Sequence, residues 1–383
     1  MLHDTMTDLN YSLFEQCNKE NLDDGDDSHQ FVLKGSFQDL VGNGWSWSEL
    51  FAFVDQDDKM VWSSSPGTPE ECCVMRASST DNEKPGSHEY ALELIVETMQ
   101  SDMTNQTKST QKLQLTAPSA EAASPALHGL FHLVSNSKTS ATTASSRSEI
   151  TCKCFATQPR APIPRLRLDL LQKLFAASSS HIPISCLRFH FVSIDEESAR
   201  AINGCGVGNV EFRQCSIANA WDKVLSSTGV GLKRLSVSCA MPEFAQLGSH
   251  ISGNSSLEEM DLLLHFWLQG PALETFANGL ATTKGLRKLK IQYLDINDQG
   301  WDWLCQSLHS HPTLQRLELG FTENFVDNFR RLTPERRLIR TKSVLKLVQT
   351  NHAIREVVWP QFQQDETTIQ QVNSLLEGRK SSQ

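Results

Sequence analysis

The strongest constraint on the fold is an apolar motif, L-x-x-L-x-L-x-x-N/C-x-L, that returns seven times in the second half of the chain with other apolar residues often replacing leucine. Its copies are Ile184, Leu187, Phe189, Val192, Ile194; then Val207, Val210, Phe212, Cys215, Ile217; Leu232, Leu235, Val237; Leu257, Met260, Leu262; Leu286, Leu289, Ile291, Leu294, Ile296; Leu314, Leu317, Leu319; and Ile354, Val357, Trp359. The starts, at 184, 207, 232, 257, 286, 314 and 354, lie 23, 25, 25, 29, 28 and 40 residues apart. Alternation within each copy predicts a short strand, whereas the segments between copies carry a helical period: Trp221, Val224, Leu225; Leu273, Phe276, Ala277, Leu280; and Trp301, Leu304, Cys305, Leu308. Asn219 and Asn297 are placed as N-caps, and Pro242, Pro271 and Pro334 stand where a first-turn proline is tolerated.

A unit of one strand and one helix has two apolar surfaces that stay wet until a neighbour stacks on it, so such units are stable only in a row. Each fully buried Leu, Ile, Val or Phe contributes roughly 1.5–3 kcal/mol before chain entropy is subtracted. This pattern resembles the ribonuclease-inhibitor-like subclass of leucine-rich-repeat proteins over about residues 166–376, with degenerate leucines and uneven repeat lengths. The resemblance implies an α/β solenoid of parallel strands with outer helices over residues 161–383. It also implies a non-catalytic scaffold that binds a protein partner on the concave strand face. Residues 169–172 have the spacing of a capping-box variant opening a helix over 170–177, and Ile369, Val372 and Leu376 are placed to close the other end.

The first 150 residues differ. They hold 23 Asp and Glu against 9 Lys and Arg, while residues 151–383 hold 22 against 26, so the halves carry about −14 and +4. Residues 1–28, ending in Asp23-Asp24-Gly25-Asp26-Asp27, read as a disordered acidic tail that lacks the glutamate of a calcium loop. Residues 29–99 gain apolar density (Phe37, Leu40, Trp45, Trp47, Leu50, Phe53, Val54) and read as a small module or docking segment, with a helix expected over 89–99. Residues 100–160 read as a linker, because 17 of the 50 positions from Ser101 to Ile150 are Ser or Thr.

Alternate strand positions give the binding candidates: Arg188, His190, Glu211, Arg213, Asp261, Leu263, Lys288, Lys290, Tyr293, Arg316 and Glu318, with Ser236, Ser238 and Gln292 in the same rows. Charge alternates between units, and lateral ion pairing between strands is the competing reading of these residues. A second candidate is the long interval before the last copy, where Arg330, Arg331, Arg336, Arg337, Arg340, Lys342 and Lys346 face Glu335 alone. A helix starting at Thr333-Pro334-Glu335 would present them for a salt-sensitive contact.

No catalytic, cofactor or metal residue is assigned. Cys72-Cys73 and Cys152-Lys153-Cys154 lack a second pair at zinc spacing, and His128 and His132 sit in Ser/Thr-rich sequence with Gly129 between them. A net charge of −10 and pI near 5.7 give nucleic-acid binding no support, and no apolar stretch is long enough for a membrane span. The start, with Asp4 and Asp8 and no basic n-region, points to the cytoplasm, with the nucleus compatible with the same signals. A second layout, substrate adaptor of a ubiquitin ligase, would use residues 30–62 as its docking element. That element should open on Leu-Pro and continue with helical periodicity, and 37–54 has neither cleanly.

Overall fold

The computed structural model describes residues 11–17, 30–57, 59–62, 73–77, 90–101, 106–117, six positions within 125–134, 147–155, 184–204, 207–217, 219–226, 231–239, 241–264, 270–292, 296–320, 333–359 and 366–380. These divide into two compact units, Met1–Val207 and Gly208–Gln383.

The first unit combines a mixed sheet with helices. Its strands are β1 (Phe14–Cys17), β2 (Gln30–Leu33), β3 (Lys59–Trp62), β4 (Cys73–Ala77), β5 (Tyr90–Ser101), β6 (Gln106–Ala117), β7 (Arg147–Phe155) and β8 (Ile184–His190), hydrogen-bonded in the order β1-β2-β3-β4-β6-β5-β7-β8. Helices α1 (Phe37–Gly42) and α2 (Trp47–Asp57) lie between β2 and β3, while β9 (Ser193–Ile194) and α3 (Glu196–Gly204) follow β8. Both early helices open on a capping box: Ser36 N–H donates to Asp39 Oδ2 at 2.7 Å, and Ser46 N–H to Glu49 Oε2 at 2.7 Å. The helix α2 packs on β3, β4 and β6, burying Trp47, Leu50, Phe53 and Val54. Helical periodicity is therefore present here, and its apolar stripe packs into the unit's own core.

Three expectations are corrected in this unit. The acidic tail contains a described strand, β1, which pairs antiparallel with β2 because Phe14 stacks on Trp45 (5.1 Å between centroids) and Phe53 (4.4 Å). The helix expected over 89–99 is strand β5, paired on both sides by β6 and β7. Consecutive residues Glu93, Leu94, Ile95 and Val96 are all buried, and a strand covered on both faces loses the period-two signature. The stretch read as linker holds β6 and β7, and also the buried Ala126, Leu130, Leu133 and Val134. Its Ser and Thr stand beside inward-facing Leu113, Leu115 and Ala117, and threonine suits a pleated half-buried surface. The capping-box variant and helix expected over 169–177 lie outside the described residues.

The second unit alternates strand and helix: β10 (Asn209–Arg213), β11 (Ser216–Ile217), α4 (Trp221–Val224), β12 (Arg234–Cys239), α5 (Met241–His250), β13 (Glu259–Leu264), α6 (Pro271–Thr282), β14 (Lys288–Gln292), α7 (Asp298–Ser307), β15 (Arg316–Gly320), α8 (Pro334–Thr350), β16 (Glu356–Val358) and α9 (Glu366–Lys380). The sheet runs β10-β12-β13-β14-β15-β16, every pair parallel. Every motif copy thus contributes a strand, the first as β8 of the preceding unit, where it pairs parallel with β7. The two compact units divide after Val207.

Inward positions are Leu235 and Val237, Met260 and Leu262, Leu289 and Ile291, Leu317 and Leu319, all at most 1 % exposed. Helices α5 and α6 approach through two glycines. A Cβ at Gly248 would lie 2.5 Å from Phe276 Cα, and one at Gly279 would overlap the Gly248 carbonyl. Asn297 caps α7 as expected, accepting from Gly300 N–H at 2.7 Å, and Pro334 opens α8 behind the Thr333 cap. Asn219 does not cap α4: its φ is 51°, its side chain accepts from Gln246 Nε2, and Ala220 holds the N-cap.

A polar residue three positions before the motif start closes each of the four helix-to-strand turns that lead into β13, β14, β15 and β16. Asn254 Oδ1 accepts from Ser256 and Leu257 N–H at 3.0 and 2.8 Å, and its Nδ2 donates to Leu225 O. Thr283 Oγ1 donates to Gly279 O at 3.1 Å, His311 Nδ1 accepts from Leu314 N–H at 3.1 Å, and Asn351 Nδ2 donates to Leu308 O at 2.7 Å. At the end of α8 an arginine takes this part. There the Arg379 guanidinium of α9 donates to Val348, Asn351 and Ile354 carbonyls and satisfies the end of α8.

Candidate interaction surface on the strand face

In the second unit the parallel register sets the outward residues in rows. Asn209, Arg234, Glu259, Lys288, Arg316 and Glu356 are side by side; two residues on come Glu211, Ser236, Asp261, Lys290, Glu318 and Val358; two further on come Arg213, Ser238, Leu263, Gln292 and Gly320. Ser238 is buried, which removes it from the candidate face. Tyr293 lies outside the described residues.

Neighbouring strands stand about 4.8 Å apart, close enough for opposite charges in one row to meet. Arg234 pairs with Glu259 at 2.9 Å, Lys288 with Glu259 at 3.8 Å, and Arg316 with Glu356 at 3.2 Å and Glu318 at 3.5 Å. Lys290 sits between Glu318 (3.5 Å) and Asp261 (4.0 Å), while Arg213 meets Glu211 on its own strand. Burial raises the Asp261 pKa above its ordinary value, with Glu318 and Glu211 adding to the rise, against a 3.0 Å hydrogen bond from Gln292 and the charge of Lys290. Lateral pairing, one of the two readings of these charges, is present along the face. The pairs are solvent-facing and worth about 0–1 kcal/mol each, so they order the side chains more than they stabilise the sheet.

The candidates in the first unit are similarly engaged. Arg188 on β8 reaches Glu149 at 2.5 Å and Glu97 at 3.6 Å, carboxylates that the β5–β7 register places opposite each other. His190, on the same strand, is half-buried.

The basic helix is less available than its sequence suggested. Asp298, at the start of α7, accepts from Arg336 Nε at 2.6 Å and Arg340 Nε at 2.9 Å. Burial alone would raise the Asp298 pKa, but the two arginine hydrogen bonds outweigh it and hold the carboxyl below its ordinary value. Arg340 is 5 % exposed, donates to Ile296 O at 2.7 Å, and lies 5.5 Å over the Trp301 ring, whose Nε1 donates to the Arg340 carbonyl. It joins two consecutive helices rather than facing solvent. Arg337 is half-buried, Lys342 and Lys346 are exposed, and Arg330 and Arg331 lie outside the described residues.

Row membership of Arg234, Glu259 and Glu356 was missed by sequence reasoning, although Lys288 and Arg316 of the same row were named. The signal was present, since each occupies the second x of its L-x-x-L step. Cys152 and Cys305 are buried, and burial pushes the Cys305 pKa up. Among the described residues no helix is long and apolar enough to cross a membrane. Compared with protein-family models and with curated proteins, the sequence matches none of them.

Proposed function

We propose that the repeats are leucine-rich repeats of the ribonuclease-inhibitor-like subclass and that the chain is a non-catalytic scaffold whose strand face binds a protein partner. The observation that carries this reading is the registered set of outward side chains on six parallel strands, set by buried inward neighbours, with most of the charged ones held by lateral pairs. A surface ordered before binding loses little side-chain entropy on association, which favours recognition. Because most of its charges are already paired, affinity has to come from groups that offer new contact. These are Leu263 and the 41 % exposed Val358 as apolar anchors, and Ser236 as a hydrogen-bonding group.

The test is a photo-crosslinking amino acid placed at Ser236 on the strand face or at Asn278 on the exposed side of α6. The expected result is a discrete adduct with one protein from Ser236 and none from Asn278. Equal labelling from both sites, or labelling from Asn278 alone, refutes the reading.

A further inference from the structure

We infer that the strand-entry edge of β14, β15 and β16 binds an acidic segment of the partner protein, an inference that rests on the strand-face reading above. Two positions of each repeat line this edge. They are Lys233-Arg234, Glu258-Glu259, Arg287-Lys288, Gln315-Arg316 and Arg355-Glu356, and the amides of each pair after the first reach one carbonyl of the pair before it. Over β12 and β13 the charges cancel: Lys233 meets Glu258 at 3.2 Å and Arg234 meets Glu259 at 2.9 Å. Over β14 to β16 they do not, because Arg287, Lys288, Arg316 and Arg355 face the single carboxylate Glu356. Glu356 is taken by Arg316, and Lys288 leans back toward Glu259. Arg287 and Arg355 have no ion pair among the described residues, and Gln315 stands between them.

Two guanidinium groups two strands apart, about 10 Å, match carboxylates three residues apart on a peptide in the polyproline-II conformation, where such residues share one side, and each can take one in a two-pronged hydrogen bond. Gln315 between them adds a neutral hydrogen-bonding group without repelling an anion. The patch is short and bounded: Glu258 and Glu259 flank it on one side, and Asp261 and Glu318 stand in the next row. A long phosphate backbone would run into those carboxylates, whereas a few clustered acidic side chains would not, so the geometry favours an acidic peptide over nucleic acid.

The experiment uses the full chain and a fluorescein-labelled Gly-Ser peptide carrying four consecutive glutamates, read by fluorescence anisotropy at low and moderate salt. A twelve-nucleotide oligothymidine is the second probe. Arg287→Gln with Arg355→Gln should weaken peptide binding about tenfold or more, whereas Lys342→Gln with Lys346→Gln, which removes two exposed cations elsewhere, should change it less than about twofold. Wild-type binding should also fall as salt rises. The inference is overturned if the wild type does not bind the peptide, if both double variants bind alike, or if oligothymidine binds more tightly with the same arginine dependence. Should crosslinking from Ser236 succeed while the arginine dependence fails, the acidic-segment inference falls and the strand-face reading stands. The opposite pair of results leaves an anion-binding edge and removes the scaffold reading.

Discussion

Replacing His311 with asparagine should remove much of the acid sensitivity of the second unit while keeping its turn. His311 is 1 % exposed, and its Nδ1 accepts from Thr313 and Leu314 N–H at 3.4 and 3.1 Å, so the ring is neutral with its proton on Nε2. Burial pushes its pKa down from 6.5 to about 4. Below pH 6.5 the unfolded chain takes up a proton that the folded chain refuses until about pH 4. Stability from this residue is therefore fully present above pH 6.5 and declines as pH falls through that window. The loss is on the order of 2 kcal/mol at pH 5 and about 3 kcal/mol at pH 4. Asn254 makes the same turn two units earlier by accepting from Ser256 and Leu257 N–H, so His311→Asn should stay within about 1 kcal/mol of wild type at neutral pH. Urea unfolding followed by circular dichroism at pH 7, 6 and 5 should show the variant overtaking the wild type as pH falls. Comparison at each pH cancels the carboxylates that titrate in the same range. Parallel pH profiles for the two proteins would refute the assignment of His311 as a buried neutral turn residue.

Arg340→Met should cost about 2–4 kcal/mol in chemical unfolding, since it strands the Ile296 carbonyl and half-neutralised Asp298, while Arg336→Gln, with its arginine 46 % exposed, should cost less than about 1 kcal/mol. Because the Asp298 pKa is lowered, the gap between Arg340→Met and wild type should narrow as pH falls below the ordinary carboxylate range; a pH-independent gap would show that packing, not charge, dominates. Gly279→Ala should lower the thermal midpoint by several degrees, because its methyl group collides with the Gly248 backbone and forces α5 and α6 apart; an unchanged midpoint would mean that the helices are not in close contact. Leu289→Asp should cost several kcal/mol and Gln315→Asp less than about 0.5 kcal/mol, and equal effects on thermal melting would show the strand register to be wrong. Gln292, although on the outward row, is unsuitable as the neutral control because it hydrogen-bonds Asp261.

Local pattern alone determined where the repeat strands lie and which way they face. Leu289 and Ile291 flank Lys290 in the sequence, and a strand turns alternate side chains to opposite faces whatever surrounds it, so the inward set was readable without a partner strand. Asn297 as a cap and Pro334 as a first-turn residue were legible for the same reason: each acts within one helical turn. What lay beyond the sequence depends on neighbours distant in the chain. Strand β5 could not be told from a helix, because burial on both faces erases alternation, and the strands that pair along its edges, β6 and β7, are not visible in its own sequence. The charges of Glu259, Lys290 and Arg316 were visible as residues. Whether they cancel or remain open is decided by the register that sets adjacent strands side by side. Arg340 shows this most directly, since its basic run reads as a solvated helix face until packing sets Asp298 and Trp301, from the preceding helix, against it. Periodicity is a property of the chain next to itself, and electrostatic compensation is a property of elements brought together, so only the tertiary structure decided which cations were left for a partner.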